Sequence, residues 1–422
     1  MLKIKKFEHC NEVSSLKIPI VLYMILIALS PLLTFKTAFM SSFIVAAAEL
    51  TIILYFTSVH FEHFRFNIKN KEVKLLFLFL LSTLISNLLM ILNEEILIVE
   101  FTLALIREFF LFVHVIFSVV LVRKIFIKYE LSYVLVILPL VVAIYAIGLT
   151  TYHNMGYEEF LNNDYLGLPL VQNRRFLGYV VLISSIISSC KLLIFSERIN
   201  KKIIMALIIT TINLSFLFWL GGRGAIVAYF IAIIGFSFIQ RLTITNKITC
   251  KGGATFIISL VLSIIISDLV SVYNWNGLLR FSFDVGEESL NQYSSSRISM
   301  WLGSLDYIYA KPWFGYGSDA YLILGITPHY HPHNFIIQIM LEFGFVGFIL
   351  FMLLYMLLII KGLHFIIKGE STIQHDISIF VVIALFTNGL LDGTIYHAVP
   401  IMFLSIFSSY LYFERNKSEL LT

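Results

Sequence analysis

The chain has 422 residues, of which 59% are hydrophobic and 13% charged, where an ordinary soluble domain carries about 25% charged residues. Its mean hydropathy of +0.90 excludes a soluble globular class and puts it among membrane proteins. The net charge of +4 comes with no basic tail and no basic–aromatic interleaving, which excludes a nucleic-acid binder. Three cysteines (Cys10, Cys190, Cys250) without a CxxC pair imply neither a disulfide framework nor a zinc site.

A membrane span needs roughly 20 apolar residues. That measure predicts twelve: 18–35, 38–59, 74–92, 96–121, 131–151, 176–195, 203–220, 224–240, 254–272, 335–360, 377–391 and 398–413. The first is read as a retained span, because no small-residue cleavage site follows it. No internal repeat or low-complexity linker divides the chain, so 1–422 reads as a single all-α polytopic membrane domain.

Lysine and arginine give the orientation. With both termini cytoplasmic, 22 of the 30 basic residues fall on the cytoplasmic side. Two sizeable outer loops remain, at 152–175 and 273–334. The outer basic residues are Lys36, Arg174, Arg175, Arg223, Arg280, Arg297 and Lys311, with Arg107 inside the fourth span. Arginine retained outside against the positive-inside bias hints at anion binding, because the guanidinium fork matches phosphate oxygens.

In the fourth span Glu100, Arg107 and His114 recur every seven residues and share a face; Glu108 neighbours it, and Glu49 lies mid-span in the second helix. Intramembrane ionisable residues usually face the bundle interior and pair. Two readings stay open here: a polar cavity, or an ion-pair network that fixes helix register. Farther on, Gly221-Gly222-Arg223-Gly224 joins the seventh and eighth spans almost without a loop. Arg223 is thereby held at the outer mouth of the bundle, where the glycines allow close approach.

The large outer loop carries the densest polar pattern. Ser294-Ser295-Ser296 offers an N-cap to an amphipathic helix that places Ile298, Trp301, Leu302, Leu305, Ile308 and Tyr309 on one face. Arg297 sits at its first turn, where the helix dipole also favours an anion. Lys311-Pro312 ends the helix, and Pro312 to Gly317 reads as a tight turn. His329, His331 and His333 alternate, yet no cysteine or acid at ligand spacing completes a metal site. Pro332 disfavours a helical backbone before it, so the tenth span starts after it with Asn334 as N-cap. His333 is thereby fixed at the outer membrane–water boundary, and its side chain suits a general base. Asp392, Tyr396 and His397 lie at the outer end of the last helix pair and are eligible for the same site.

His333-Asn334, nine residues, then Gly344-Phe345-Val346-Gly347, taken with Arg297, Trp301, Pro312, Gly315, Gly317 and Glu342 before and within it, resembles the signature of the O-antigen ligase and O-antigen polymerase superfamily. Gly222-Arg223-Gly224-Ala225 is similar to that family's Ser/Thr-Arg-Gly/Ala at the start of the corresponding helix. The match is densest over 220–350. The resemblance implies a GT-C-like membrane glycosyltransferase with an undecaprenyl-diphosphate-linked glycan as donor and no cofactor or metal. It implies that Arg223 and Arg297, with Arg175 as a less secure match, bind the donor diphosphate. It makes His333 the catalytic residue, supported by Asn334, Gly344 and Gly347; Asp392 joins the supporting residues by its position alone.

Three functions follow as expectations. The first is an O-antigen ligase of the bacterial inner membrane, with a periplasmic site and a lipid A–core acceptor. The second is an O-antigen or capsule polymerase, whose acceptor is another lipid-linked glycan. The third, from a different class, is a twelve-span transporter or lipid-glycan flippase. The charged stripe in the fourth span favours that last reading, while the gathering of Arg and His in one outer loop, away from the midplane where transporters bind, opposes it.

Overall fold

The computed structural model describes residues 17–32, 38–59, 70–90, 98–121, 132–154, 174–194, 201–243, 246–270, 278, 294, 296–327 and 329–415. These residues form an all-α polytopic membrane protein, with no strand among them. The helices are α1 (Lys17–Leu29), α2 (Ala38–Val59), α3 (Lys71–Met90), α4 (Ile98–Leu121), α5 (Ser132–Asn154), α6 (Arg174–Leu193), α7 (Lys201–Leu220), α8 (Arg223–Leu242), α9 (Cys250–Leu269), α10 (Arg297–Ala310), α11 (Ala320–Ile323), α12 (Phe335–Ile367), α13 (Ile373–Gly389) and α14 (Ala398–Arg415). A helix stands at each of the twelve expected spans. Among the described residues eight are long and apolar enough to cross a membrane, with shorter apolar helices beside them.

Helix α6 is the hub, and nearly all of its apolar stretch is buried inside the protein. Its serines explain how neighbours come so close, since small polar residues let helices approach and hydrogen-bond across the contact. Ser184 Oγ donates to Asn213 Oδ1 and Ser185 Oγ to the Asn213 carbonyl at 3.2 Å, both on α7; Ser189 pairs with Tyr229 of α8 at 2.8 Å. At one end of the bundle Glu72 on α3 accepts from Lys361 of α12 at 2.9 Å and from Arg415 of α14.

The feature that builds the site is a break in α12. Gly344 has φ 65° and ψ −170°, a conformation open to glycine but not to residues with a Cβ. It splits α12 into a short segment, 335–343, and a long one, 345–367, whose 23 residues rise about 34 Å, a membrane thickness. A broken helix frees backbone groups that lipid cannot satisfy. Here the turn at 312–317 satisfies them: Phe345 N–H donates to Pro312 O (2.7 Å) and Val346 N–H to Trp313 O (3.2 Å), while Tyr316 N–H donates to Leu341 O (2.9 Å) and Gly317 N–H to Glu342 O (2.8 Å). Ser86 of α3 closes the junction through the Glu342 carbonyl at 2.6 Å and the Phe314 carbonyl. Ser86 stands 14 residues along α3 from Glu72, a rise of about 21 Å. The break therefore lies toward the far end of the bundle from the Glu72 cluster.

This junction explains three glycines of the sequence pattern. Gly315 (φ 67°) and Gly344 press against each other's segments: a Cβ on Gly315 would lie 2.5 Å from Leu341 O. At Gly347 a Cβ would come within 2.5 Å of Phe343 Cβ, so the small residue admits that ring toward α3. Phe79, Phe335, Ile339, Phe343 and Phe351 make the apolar cluster on which the short segment rests.

Helix α10 departs from the expected face. It buries Met300, Ser304 and Ile308 against Tyr316, Ala320, Tyr321 and Leu341, and leaves Leu302 and Tyr309 exposed together with Trp313. Small Ser304, whose hydroxyl returns to Met300 O at 2.8 Å, lets the helix seat closely, so the apolar stripe read from the sequence is split: Ile308 and Trp301 pack inward while Leu302 and Tyr309 face outward. Its N-terminus differs too: Ser296 is left-handed (φ 62°) and makes no side-chain cap, and Ser294 Oγ instead accepts from Ile298 N–H at 3.4 Å.

Candidate active site

Three segments meet at the N-terminal end of α12. Asn334 caps the helix: its Oδ1 accepts from Ile336 N–H (2.9 Å) and Ile337 N–H (3.3 Å), and its Nδ2 donates to Leu390 O (3.2 Å) at the end of α13. Trp301 of α10 donates from Nε1 to Pro332 O at 2.9 Å. One loop is thus tied to both neighbours. His333 sits between these anchors with φ 53°, a left-handed value that a non-glycine residue seldom adopts. Among the described residues only Ser296, Asp319 and His333 share that property, and each stands just before a helix of this outer region. Such strain collects at functional sites.

His333 Nδ1 lies 3.1 Å from Asp392 Oδ1, and both side chains are about one-seventh exposed. Asp392 Oδ1 also accepts from Gly393 N–H at 2.9 Å. Burial opposes the charge on Asp392. The His333 hydrogen bond and charge, with Arg297 and His331 nearby, outweigh it and hold the carboxyl well below the usual range. When Nδ1–H of His333 donates to the ionised Asp392, Nε2 is the ring nitrogen left to face a substrate.

Arg297 is the first residue of α10 and lies close enough to Asp392 to act on it electrostatically. Arg223 is the first residue of α8, whose N-cap Gly222 supplies no side-chain cap. The next residue, Gly224, packs on α13 and its end, since a Cβ there would meet Asn388 Oδ1 at 2.9 Å and Leu391 Cβ at 3.2 Å. Arg223 is thereby brought beside the loop that carries Asp392. Arg175 is the second residue of α6; its side chain lies outside the described residues, but the adjacent Phe176 ring packs on His397 at 3.9 Å. All three predicted arginines thus begin helices, where free N–H groups and the helix dipole add to their own charge in attracting an anion.

Behind His333 lies a layer that the motif reading did not assemble. His331 is buried, stacked on Tyr396 (4.7 Å between ring centroids) and edge-on to His333 (4.2 Å) and His397 (5.2 Å). Among the described residues no group of three or more His, Cys, Asp or Glu is disposed to hold a metal. Beneath the layer Arg107 pairs with Asp319, lies 3.7 Å from Glu342 Oε1, and sits 4.0 Å from the centre of the Tyr396 ring. His114 pairs with Glu49 at 2.5 Å. The stripe in α4 is therefore divided between two separate ion pairs. A cavity of about 90 Å³ lies among Arg107, Glu108, His114, Ser318, Glu342 and Tyr396.

With the geometry in view, residues 205–352 match the family model described as O-antigen ligase. The match supports the O-antigen ligase/polymerase superfamily for this segment of the chain. No curated protein matches the chain. The superfamily segment contains Arg223, Arg297, His333, Asn334, Gly344 and Gly347 but neither Arg175 nor Asp392. The fold brings Asp392 to His333 from outside it. Sequence reasoning missed Asp319 and the role of His331. A signal for the partner loop did exist: Asp392-Gly393-Thr394 interrupts two apolar runs at their outer ends.

The buried histidine layer predicts an acid-sensitive fold. Burial pushes His331 well below its ordinary value and His397 down to about 3; the charges of His333 and Arg107 add to this against the opposing pull of Asp392. Both folded values lie below the unfolded one of about 6.5, so the unfolded chain binds more protons in acid. Their stabilising contribution is complete above pH about 6.5 and declines as pH falls toward 3. For His397 alone the loss at pH 5 is about 2 kcal/mol. Thermal unfolding in detergent should shift down between pH 7 and 5, and His397→Phe should flatten that shift. An unchanged midpoint across this range would contradict the burial argument.

Proposed function

We propose that this protein is a glycosyltransferase of the O-antigen ligase type, moving a glycan from undecaprenyl diphosphate to a lipid A–core sugar. In this reading the protein lies in the bacterial inner membrane with both termini cytoplasmic, and the site, including the loop 273–334, faces the periplasm. The observation that carries it is the His333–Asp392 pair at the mouth of α12, with Arg297 beside it and Arg223 at the adjoining helix start. A periplasmic site has no nucleotide sugars, so the donor must arrive already activated through the membrane. A polyprenyl diphosphate glycan meets that need, and its anionic head sits at the level of these arginines.

In the reaction the acceptor hydroxyl gives its proton to His333 Nε2. Its oxygen forms the new bond to the anomeric carbon as the bond from that carbon to the phosphate oxygen breaks. The diphosphate leaves with the electron pair, and Arg223 and Arg297, with Arg175, stabilise its charge. A single in-line displacement inverts the anomeric centre. The arginines take the part that a divalent cation plays in other diphosphate-releasing enzymes, so added metal is not needed.

Arg297→Ala and Arg223→Ala should each lower transfer about 10²–10³-fold, and the Lys variants should recover part of it, because they keep the charge but lose the fork. Transfer rates of the purified variants check this; full activity of both Ala variants would remove the arginines from the mechanism. The polymerase reading uses the same steps with a second lipid-linked unit as acceptor. The lipopolysaccharide ladder of a deletion strain separates the two. Loss of a ligase leaves bare core and long polymer on the carrier, whereas loss of a polymerase leaves a single repeat on the core.

A further inference from the structure

We propose that His331 is a positioning residue that sets the backbone and ring of His333; the proposal rests on His333 being the general base. His331 Nδ1 accepts a hydrogen bond from the His333 backbone N–H at 3.2 Å. That N–H belongs to the residue with φ 53°, so the bond spans the strained turn that aims the His333 ring at Asp392. A residue in this region does not hold its conformation without support from its surroundings, and His331 supplies that support from two positions upstream.

The surroundings of His331 fix its ring just as tightly. Tyr396 stacks on it at 4.7 Å and His397 meets it edge-on at 5.2 Å. Gly393 leaves the space it occupies: a Cβ there would lie 2.2–2.8 Å from the Cε1, Nε2 and Nδ1 atoms of the ring. Gly393 also gives its N–H to the same Asp392 oxygen that holds His333. The turn at 331–334 and the loop at 390–397 are therefore one interlocked unit, joined by Asn334 to Leu390, His333 to Asp392, and His331 to Gly393 and Tyr396.

The bond demands that Nδ1 of His331 be unprotonated. The groups facing it are His333 on its own loop, Asp392, Tyr396 and His397 on the partner loop, and Arg107 from α4. Burial and the two neighbouring histidines favour the neutral ring, as does Arg107, while Asp392 alone opposes it. The imidazole is thus held as an acceptor at Nδ1 and is not a second base for the reaction. It touches no reacting atom in the proposed chemistry.

The test compares four substitutions in full-length purified protein. The donor is the lipid-linked glycan, and the acceptor the bare-core lipopolysaccharide, extracted from a strain lacking the gene. His331→Phe keeps the ring and loses the acceptor. His331→Asn loses the ring and places an amide oxygen near the position of Nδ1. His331→Gln carries its amide one methylene too far. His333→Ala tests the underlying reading.

A misplaced base should lower kcat about 10–100-fold in the Phe and Gln variants with KM changed little, while Asn should return to within about fivefold of the parent. Wild-type kcat in the Phe variant would overturn the proposal. So would equal losses in Asn and Gln, a comparison that still decides the matter if Phe does not fold. Full transfer by His333→Ala would instead remove the general base itself. An inactive His333→Ala beside a fully active Phe variant would reject only the role of His331.

Discussion

Gly344→Ala is expected to destroy the end of the molecule that holds the candidate site. The added Cβ would lie 2.3 Å from both the carbonyl carbon and the oxygen of Trp313, and 2.5 Å from Phe314 N. These are backbone atoms, which no rotamer change can move aside. The position also requires φ 65°, costly for alanine. Relief would require withdrawing the 312–317 turn, and with it four backbone hydrogen bonds across the break. We expect a loss on the order of 4 kcal/mol or more, at the upper end for single substitutions, seen as little folded protein on size exclusion and a collapsed thermal midpoint. Gly148 provides the comparison: it has open space where a Cβ would stand, and as a helix-interior glycine its replacement by alanine should be neutral or stabilising by up to about 1 kcal/mol. If Gly344→Ala unfolds within a few degrees of Gly148→Ala, the break is not what holds the site.

His333→Ala carries the largest expected effect on rate. Removing a general base costs about 10²–10⁴-fold, and it should do so in kcat while the donor KM stays near its parent value, because the arginines and helix starts still hold the diphosphate. Asp392→Asn should cost about 10²-fold or more with the fold retained. An amide at that place can donate to Nδ1, which would move the ring proton to Nε2 and block the base. Both follow from the 3.1 Å contact between Nδ1 and Oδ1. Steady-state kinetics of the two variants at one pH read these effects directly. Retention of full activity in Asp392→Asn would show that the tautomer of His333 is set by something else.

The parts legible in the sequence were those written in local signals. Apolar run length found a helix at every expected span, and Pro332 before Asn334 found the start of α12 and its cap. The spacing from His333 to Gly344 and Gly347 led to the superfamily. The arginines at 223 and 297 stood out because the positive-inside reading puts them on the outer side against the bias. What stayed hidden depends on contacts between distant segments. Glu342 and Gly344 interrupt the apolar run of 335–367 only briefly, too little to reveal a break; the 312–317 turn that fills it is a separate stretch of chain. Arg107 meets Asp319 across more than two hundred residues, so the heptad stripe could not disclose its partner. The seat of α10 could not be read locally, because its apolar residues cover more than one side and only small Ser304 marks the buried face. Asp392 could be placed near the site but not given a role until the left-handed turn at His333 aimed the ring at it.

The central claim is that glycan leaves a polyprenyl diphosphate carrier at His333. It is tested most directly by mass balance in a purified system. Lipid-linked glycan and acceptor are mixed with the protein in the absence of nucleotide and added metal, and glycan-bearing acceptor and free undecaprenyl diphosphate are counted together. The expected result is one free carrier diphosphate for each glycan joined, with both products formed about 10²–10⁴-fold more slowly by His333→Ala. Equal product from His333→Ala and the parent protein, or glycan joined without release of the carrier diphosphate, would contradict it.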